Sequence, residues 1–242
     1  MDHLPANHPV LPPAKTGVLL LNLGTPDGTD YFSLRRYLAE FLSDTRVIDA
    51  PRWFWLPLLH GIILTTRPRR SGHAYKKIWN HDQNESPLKT HTRTQAQLLS
   101  LSLTSSSSPS SSSNSSSPPP LVTWAMRYGN PSTASAVNDL IAQGCARILA
   151  LALYPQYSAT TTASAYDKLF DALKRVKRQP ALTTLGSYHD HPLYIDALAQ
   201  SVRRALAWKE GTPAPSPHKP SEPQPQKLLP PQGGGWEGGF TF

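Results

Sequence analysis

Strands and helices alternate along this sequence, which predicts an α/β protein built on a parallel sheet flanked by helices. Three observations carry that expectation. Short apolar runs at Thr16–Gly24, Leu121–Met126 and Arg147–Leu153 have the length and flanks of strands buried on both faces. Between them, apolar residues recur at helical spacing, most clearly at Leu34, Tyr37, Leu38, Phe41 and Leu42. The apolar share of the 242 residues is low, 38%, but the deficit sits in Ser105–Pro120, which has no apolar side chain, and in the Pro/Gly-rich Gly211–Phe242. What remains is dense enough for a core.

The first strand ends in Gly24-Thr25-Pro26, and the helix after it takes Asp30 or Ser33 as its cap and ends at Ser43-Asp44. Pro51–Lys77 differs in kind. Trp53, Phe54, Trp55, Leu56, Leu58, Leu59, Ile62, Ile63 and Leu64 crowd together, and Arg67, Arg69, Arg70, Lys76 and Lys77 follow. One reading is a core helix kinked at Pro57 with a solvated basic end. The other is an exposed apolar lip with a basic rim, suited to a flat apolar anion or to peripheral contact of 53–64 with a membrane surface. A further helix ends near Leu101. After the Ser run, Leu121–Met126 forms a strand, and Asn130-Pro131 opens a helix with Val137, Leu140 and Ile141 inward and Gly144 closing it. Arg147–Leu153 is the next strand. A helix capped within Thr160–Thr162 carries Leu169, Leu173 and Val176 on one face, Ala181–Leu185 forms a strand, and a last helix from Asp190-His191-Pro192 has Ile195, Leu198, Ala199, Val202 and Leu206 in register. The organisation expected is a flexible N-terminus at 1–15, a domain at 16–208 carrying a disordered loop insertion at 105–120, and a disordered tail at 209–242.

Composition excludes several classes. The single cysteine, Cys145, rules out a disulfide scaffold and a Cys-rich zinc or iron–sulfur site within one chain. The N-terminus lacks the apolar stretch of a signal peptide, and the most apolar segment, Trp53–Leu64, falls short of the roughly 20 residues a membrane-spanning helix needs. The expected location is the cytoplasm, with peripheral contact at the inner membrane face compatible with the lip. The net charge of +8 suits nucleic acid, an anionic surface or an acidic small molecule. The cations accompany aliphatic bulk rather than a groove-reading helix, so nucleic acid is not an expected partner.

Parallel sheets bind ligands beyond the carboxyl ends of their strands. Three segments fall there: Asn22–Pro26, Met126–Pro131 and Tyr154–Ser158. The first holds one glycine where a dinucleotide fingerprint needs three. Arg127, just past a buried strand, is either paired or part of a site. Tyr154 and Tyr157 either pack or form a wall for a planar ligand. His189 and His191 have a spacing that can hold a metal, but no carboxylate accompanies them at metalloenzyme spacing, and no metal site is assigned. There is no nucleophile elbow, Walker loop or His-Glu-x-x-His. The residues define a basic α/β domain with a cleft at the strand ends, without naming a reaction.

Taken together, Leu19–Pro26 (LLLNLGTP), Phe41–Asp44 (FLSD), Glu85–Lys89 (ESPLK), Met126–Pro131 (MRYGNP) and Leu153–Ser158 (LYPQYS) resemble ferrochelatase of the proteobacterial type. The resemblance runs from about Thr16 to Trp208 without the Ser run. It implies a chelatase-type, Rossmann-like fold of which this chain is the first half-domain. It also implies insertion of Fe(II) into protoporphyrin IX to give protohaem, with both as substrates and no permanently bound cofactor. Matching motifs place Arg67, Tyr75 and Ser86 at porphyrin-contacting positions, Arg67 being the natural propionate partner. The resemblance also implies that Leu23, Arg127 and Tyr154 line the inner face near the metal entry, and Tyr157 is a further expected porphyrin contact.

Two departures qualify what the resemblance implies. Members with an iron–sulfur cluster carry a cysteine just after the Tyr-Pro-Gln-Tyr-Ser motif; this chain has Ala159, so no cluster is expected. The family continues past the helix at Ile195–Trp208 into a Ser-Phe-His-Gly-like segment, whose His, with a later Glu, handles the metal and the pyrrole protons. Here a Pro/Gly/Gln tail begins at Gly211 and no catalytic residue is assignable. The sequence thus reads as a truncated or misread product, or as a short paralogue, expected to be inactive alone. A non-catalytic porphyrin-binding or interaction module is the alternative.

Overall fold

The computed structural model describes residues 14–106 and 118–209. The tail beyond 209, most of the N-terminal 1–15 and the body of the 105–120 insertion lie outside the described residues. Contacts divide the chain into two units at His189/Asp190.

The first unit is built on four parallel strands, β1 (Lys15–Thr25), β2 (Leu121–Gly129), β3 (Cys145–Ala152) and β4 (Ala181–Thr184), in the order β2-β1-β3-β4. β1 is apolar at both parities, which suits a strand with neighbours on both edges and helices on both faces. Leu19 and Leu21 enter a cluster with Val137, Leu140 and Leu169, and Val18 and Leu20 enter one with Ala96. Leu20 pairs with Trp124 on β2 and Leu151 on β3, so the three motif segments reach the same end of the sheet.

α1 (Tyr31–Leu42) is capped by Asp30, whose Oδ1 accepts the Phe32 and Ser33 amides at 2.9 and 3.0 Å. Its stripe of Tyr37, Leu38 and Leu42 packs with Leu59, Leu64 and Tyr128. Pro57 lies within α2 (Arg52–Leu58), a π-helical turn occupies Leu59–Ile63, and α3 (Leu64–Lys76) continues from it. The Thr65 and Thr66 hydroxyls both donate to the Ile62 carbonyl, at 2.7 and 3.0 Å, and so serve an acceptor in the wide turn. The segment divides between the two expected readings. Trp55, Leu56, Leu59, Ile63 and Leu64 pack inward, while Trp53 (81% exposed), Phe54 and Ile62 form an outward apolar edge.

α4 (Pro87–Ser106) runs beyond the expected end at Leu101 and takes in the first two residues of the Ser run. Leu99 and Leu103 pack against the Val18/Leu20 face, and the Thr104 and Ser105 hydroxyls donate to helix carbonyls at Ser100 and Ser102. β2 extends three residues past Met126, so Arg127 stands on the strand rather than beyond it. α5 (Thr133–Ala142) is capped by Ser132 and followed by Gly144 at φ +86°. α6 (Ser164–Leu173) follows a π-helical turn at Ala159–Ala163, whose cap is Ser158 rather than one of the threonines: its Oγ accepts the Thr160 amide. Val176 lies past the end of α6 yet packs on the same core.

In the second unit the described element is α7 (Pro192–Lys209). Its apolar stripe, Ile195, Leu198, Val202 and Leu206, is exposed. His191 Nδ1 accepts the Leu193 amide at 3.3 Å, so this histidine acts as a helix cap.

Candidate functional site

The turns at the ends of β1 and β2 cross at close quarters. Gly24 adopts φ +108°, and a Cβ there would stand 1.9 Å from the Tyr128 carbonyl oxygen. Gly129, at φ +86°, faces the Thr25 carbonyl oxygen in the same way, at 2.6 Å. Both positions therefore require glycine for conformation and for space. The crossing sets Leu23, Arg127 and Tyr128 at one end of the sheet.

A polar cluster forms behind it. Asp44 follows the end of α1, and its Oδ2 accepts from Arg127 Nη2 and Ser164 Oγ, both at 2.5 Å, and from the Tyr128 hydroxyl at 2.7 Å. Arg127 Nε donates to Ser164 Oγ at 2.7 Å, and Arg127 Nη1 lies 3.9 Å from Glu40. The Arg127 and Asp44 side chains are only 11% and 7% exposed. Glu40 also accepts the Gly129 amide and lies 3.6 Å from Lys168. β2, α1 and α6 are thereby pinned through one carboxylate.

Burial opposes ionisation of Asp44, but the hydrogen bonds from Ser164, Tyr128 and the Arg46 amide, with the Arg127 charge, outweigh it and hold its pKa below the usual value. Burial pushes the Tyr128 phenol up to about 12. Burial also raises Tyr154, which lies within electrostatic reach of Tyr128 and Arg127. The Tyr154 hydroxyl is buried with no hydrogen-bond partner among the described residues. The strand-end cluster is thus a buried one, with the Tyr128 ring and the Tyr154 hydroxyl out of solvent and the Arg127–Asp44 pair nearly so.

The expected site residues fall into two groups. Leu23, half-buried, packs with Tyr37 and Tyr128, and joins Arg127 and Tyr154 at the strand ends. Tyr157 is exposed beside the Arg46–Asp167 ion pair. Arg67 and Tyr75 stand two turns apart on α3. Arg67 is exposed, and the half-buried Tyr75 meets the Tyr37 ring edge-on at 6.4 Å. Ser86 is buried, and its Oγ accepts the Lys89 amide at the start of α4. Asp44 and Ser164 were not foreseen as parts of the cluster. A buried arginine demands an acid partner, and Asp44 lay within a quoted motif; Ser164 gave no signal. Among the described residues no group of three or more His, Cys, Asp or Glu is placed to hold a metal. None of their helices is long and apolar enough to cross a membrane.

A four-stranded parallel sheet flanked by helices, with a buried ion-paired cluster at its carboxyl end, defines a Rossmann-like α/β domain. The ferrochelatase family model matches residues 15–221, and the chain belongs to that family. Ferrochelatase of Agrobacterium fabrum (strain C58) is 51% identical over 213 residues, which are 88% of this chain and 59% of the relative. Ferrochelatase of Chelativorans sp. (strain BNC1) is 51% identical over 84% of this chain and 54% of its own length. That of Brucella ovis is 55% identical over 80% and 52% respectively. The chain spans little more than half the length of these relatives.

Proposed function

We propose that this chain forms the porphyrin-binding wall of a protohaem ferrochelatase, with protoporphyrin IX and ferrous iron as substrates. The observation that carries the reading is the family match together with the residues at its motifs. An apolar edge of Trp53, Phe54 and Ile62 leads into Arg67 on α3, and the half-buried Leu23 and Tyr154 stand at the strand ends. Protoporphyrin is flat and apolar and carries two propionates, so it needs an aromatic and aliphatic bed with cations at one edge. In this reading Arg67 meets a propionate, Tyr75 and Ser86 border the macrocycle, and Leu23, Arg127 and Tyr154 face its inner part, with Tyr157 at the margin. Ala159 stands where clustered members carry cysteine, so iron enters as a substrate and no iron–sulfur cluster is used. The exposed edge at 53–64 also suits peripheral contact with the inner membrane face.

Metallation removes two pyrrole protons as the metal enters, which calls for a base near the ring centre. Asp44, the buried carboxylate at the strand ends, is a poor candidate. Three donors converge on one of its oxygens, and a carboxylate stabilised in its ionised form has little affinity for a proton. The described histidines, His60, His73, His81, His91, His189 and His191, are all exposed, and none bonds to the Arg127 cluster. In this reading the described residues bind and orient the porphyrin, none of their histidines supplies the base, and the chain tested alone is expected not to turn over. Fluorescence titration of protoporphyrin IX against the chain and against Arg67→Ala tests the binding part: saturable quenching weakened by the substitution supports the reading, and absence of quenching by the wild-type chain removes it.

A further inference from the structure

α1 and α6 run antiparallel, and polar links join them turn by turn. Asp44, just past the end of α1, meets Ser164 at 2.5 Å. Four residues away along each chain segment, Glu40 lies 3.6 Å from Lys168. One further turn sets Arg36 towards Ala172, which is buried and offers no acceptor. The ladder of links ends there, and both residues border a cavity of about 360 Å³ that the turns after β1 and β2 also line. None of the residues expected to contact porphyrin lines it.

Three cations and three acids face this cavity: Arg36, Lys168 and Arg175, with Asp27, Glu40 and Asp171. Every one of the acids already has a donor. Asp27 accepts from the Asn130 side-chain amide at 2.8 Å, and Asp171 from Lys174 Nζ at 3.1 Å. Glu40 accepts the Gly129 amide at 3.0 Å and is shared with Lys168. Glu40 and Asp171 stand at the four-residue spacing from Arg36 and Arg175 that ordinarily pairs helix charges, yet each is drawn elsewhere. The two arginines are left over. Both are exposed, and among the described residues neither has a carboxylate within ion-pairing distance. Arg36 Nη2 donates to Ser33 Oγ, one turn back on its own helix, at 3.2 Å.

Two guanidinium forks beside one polar cavity, without acids of their own, call for an oxyanion. A carboxylate has two oxygens, which a single fork occupies. A phosphate group has three terminal oxygens and up to two charges, so it answers both forks. We propose that the cavity between α1 and α6 is a phosphate-binding site for a small phosphorylated molecule, with Arg36 and Arg175 as its contacts.

The test is isothermal titration calorimetry of the full chain with inorganic pyrophosphate and with succinate, at constant ionic strength, repeated on Arg36→Ala, Arg175→Ala and Lys177→Ala. Lys177 is exposed and lies outside the cavity. The wild-type chain is expected to bind pyrophosphate saturably and succinate more weakly. Each arginine variant should weaken pyrophosphate binding about tenfold, the scale of one charge-assisted hydrogen bond, and Lys177→Ala should leave it unchanged. Absence of saturable binding by the wild-type chain overturns the proposal, as does binding that neither arginine variant weakens. An equal loss from Lys177→Ala overturns it as well, because diffuse positive charge then explains the binding. Succinate bound as tightly as pyrophosphate rules out a phosphate site. Porphyrin takes no part in the measurement, so failure here leaves the porphyrin reading standing.

Discussion

Asp44 is the single side chain on which the strand-end cluster depends. Replacing it by alanine leaves the buried Arg127 only the Ser164 hydroxyl and the more distant Glu40 carboxylate, and breaking a buried pair in this way costs about 3 kcal/mol. Asp44→Ala is therefore expected to shift the urea unfolding midpoint strongly, whereas Asp139→Ala, away from any ion pair, shifts it little. The same residue sets an acid dependence. Its folded pKa is lowered relative to the unfolded chain. The stability it contributes is thus present above the unfolded carboxylate value, about 3.9, and is lost as pH falls through the folded value. Unfolding measured from pH 6 down to pH 3 should show the wild-type chain losing stability towards the acid end, with a shallower loss in Asp44→Asn. Parallel curves would mean that the cluster does not depend on the Asp44 charge. Gly24 is the second critical position. With φ at +108° and a Cβ placed 1.9 Å from the Tyr128 carbonyl, alanine there must part β1 from β2. Gly24→Ala is expected to lose cooperative unfolding, while Gly61→Ala, with open space around it, keeps the wild-type transition.

The elements differ in how far their sequences foretold them. β1, β2 and β3 were legible because strands buried on both faces need apolar residues at both parities, and these runs have them. α1 was legible from one stripe, with Asp30 or Ser33 as its cap, and the structure selects Asp30. The Pro51–Lys77 segment was not, because helical spacing does not say which of two apolar faces meets the core. Leu59 and Leu64 turned in, and Trp53 and Phe54 turned out. The π-helical turn that brings this about depends on threonine hydroxyls, which hydrophobic pattern does not register. Within the site, the glycine turns were readable as motifs, whereas the meeting of Asp44 with Ser164, 120 residues apart, needed the fold. Two measurements belong to this scale. Trp53→Ser with Phe54→Ser should leave the melting temperature within about 2 °C, as substitutions at exposed positions do, while weakening porphyrin binding. A large drop in melting temperature would return the segment to the core. Replacing residues 107–117 by a short Gly/Ser linker should also leave the melting temperature nearly unchanged, since they hold no apolar side chain and loop entropy varies slowly with length. A fall of many degrees would show that they carry packing.

On the scale of the whole molecule, the proposed function gives the described residues porphyrin binding and expects proton removal to come from elsewhere. The strand-end cluster holds phenols whose pKa values burial raises, an arginine paired with its acid and a carboxylate held ionised. Groups so held are poor proton acceptors. The most direct measurement is a continuous assay of Zn(II) insertion into protoporphyrin IX by the chain verified by mass to end at Phe242, at a porphyrin concentration where fluorescence shows it bound. The account predicts a bound porphyrin that is metallated no faster than in buffer; turnover of about 1 per second or more, a rate typical of enzymes, would contradict it.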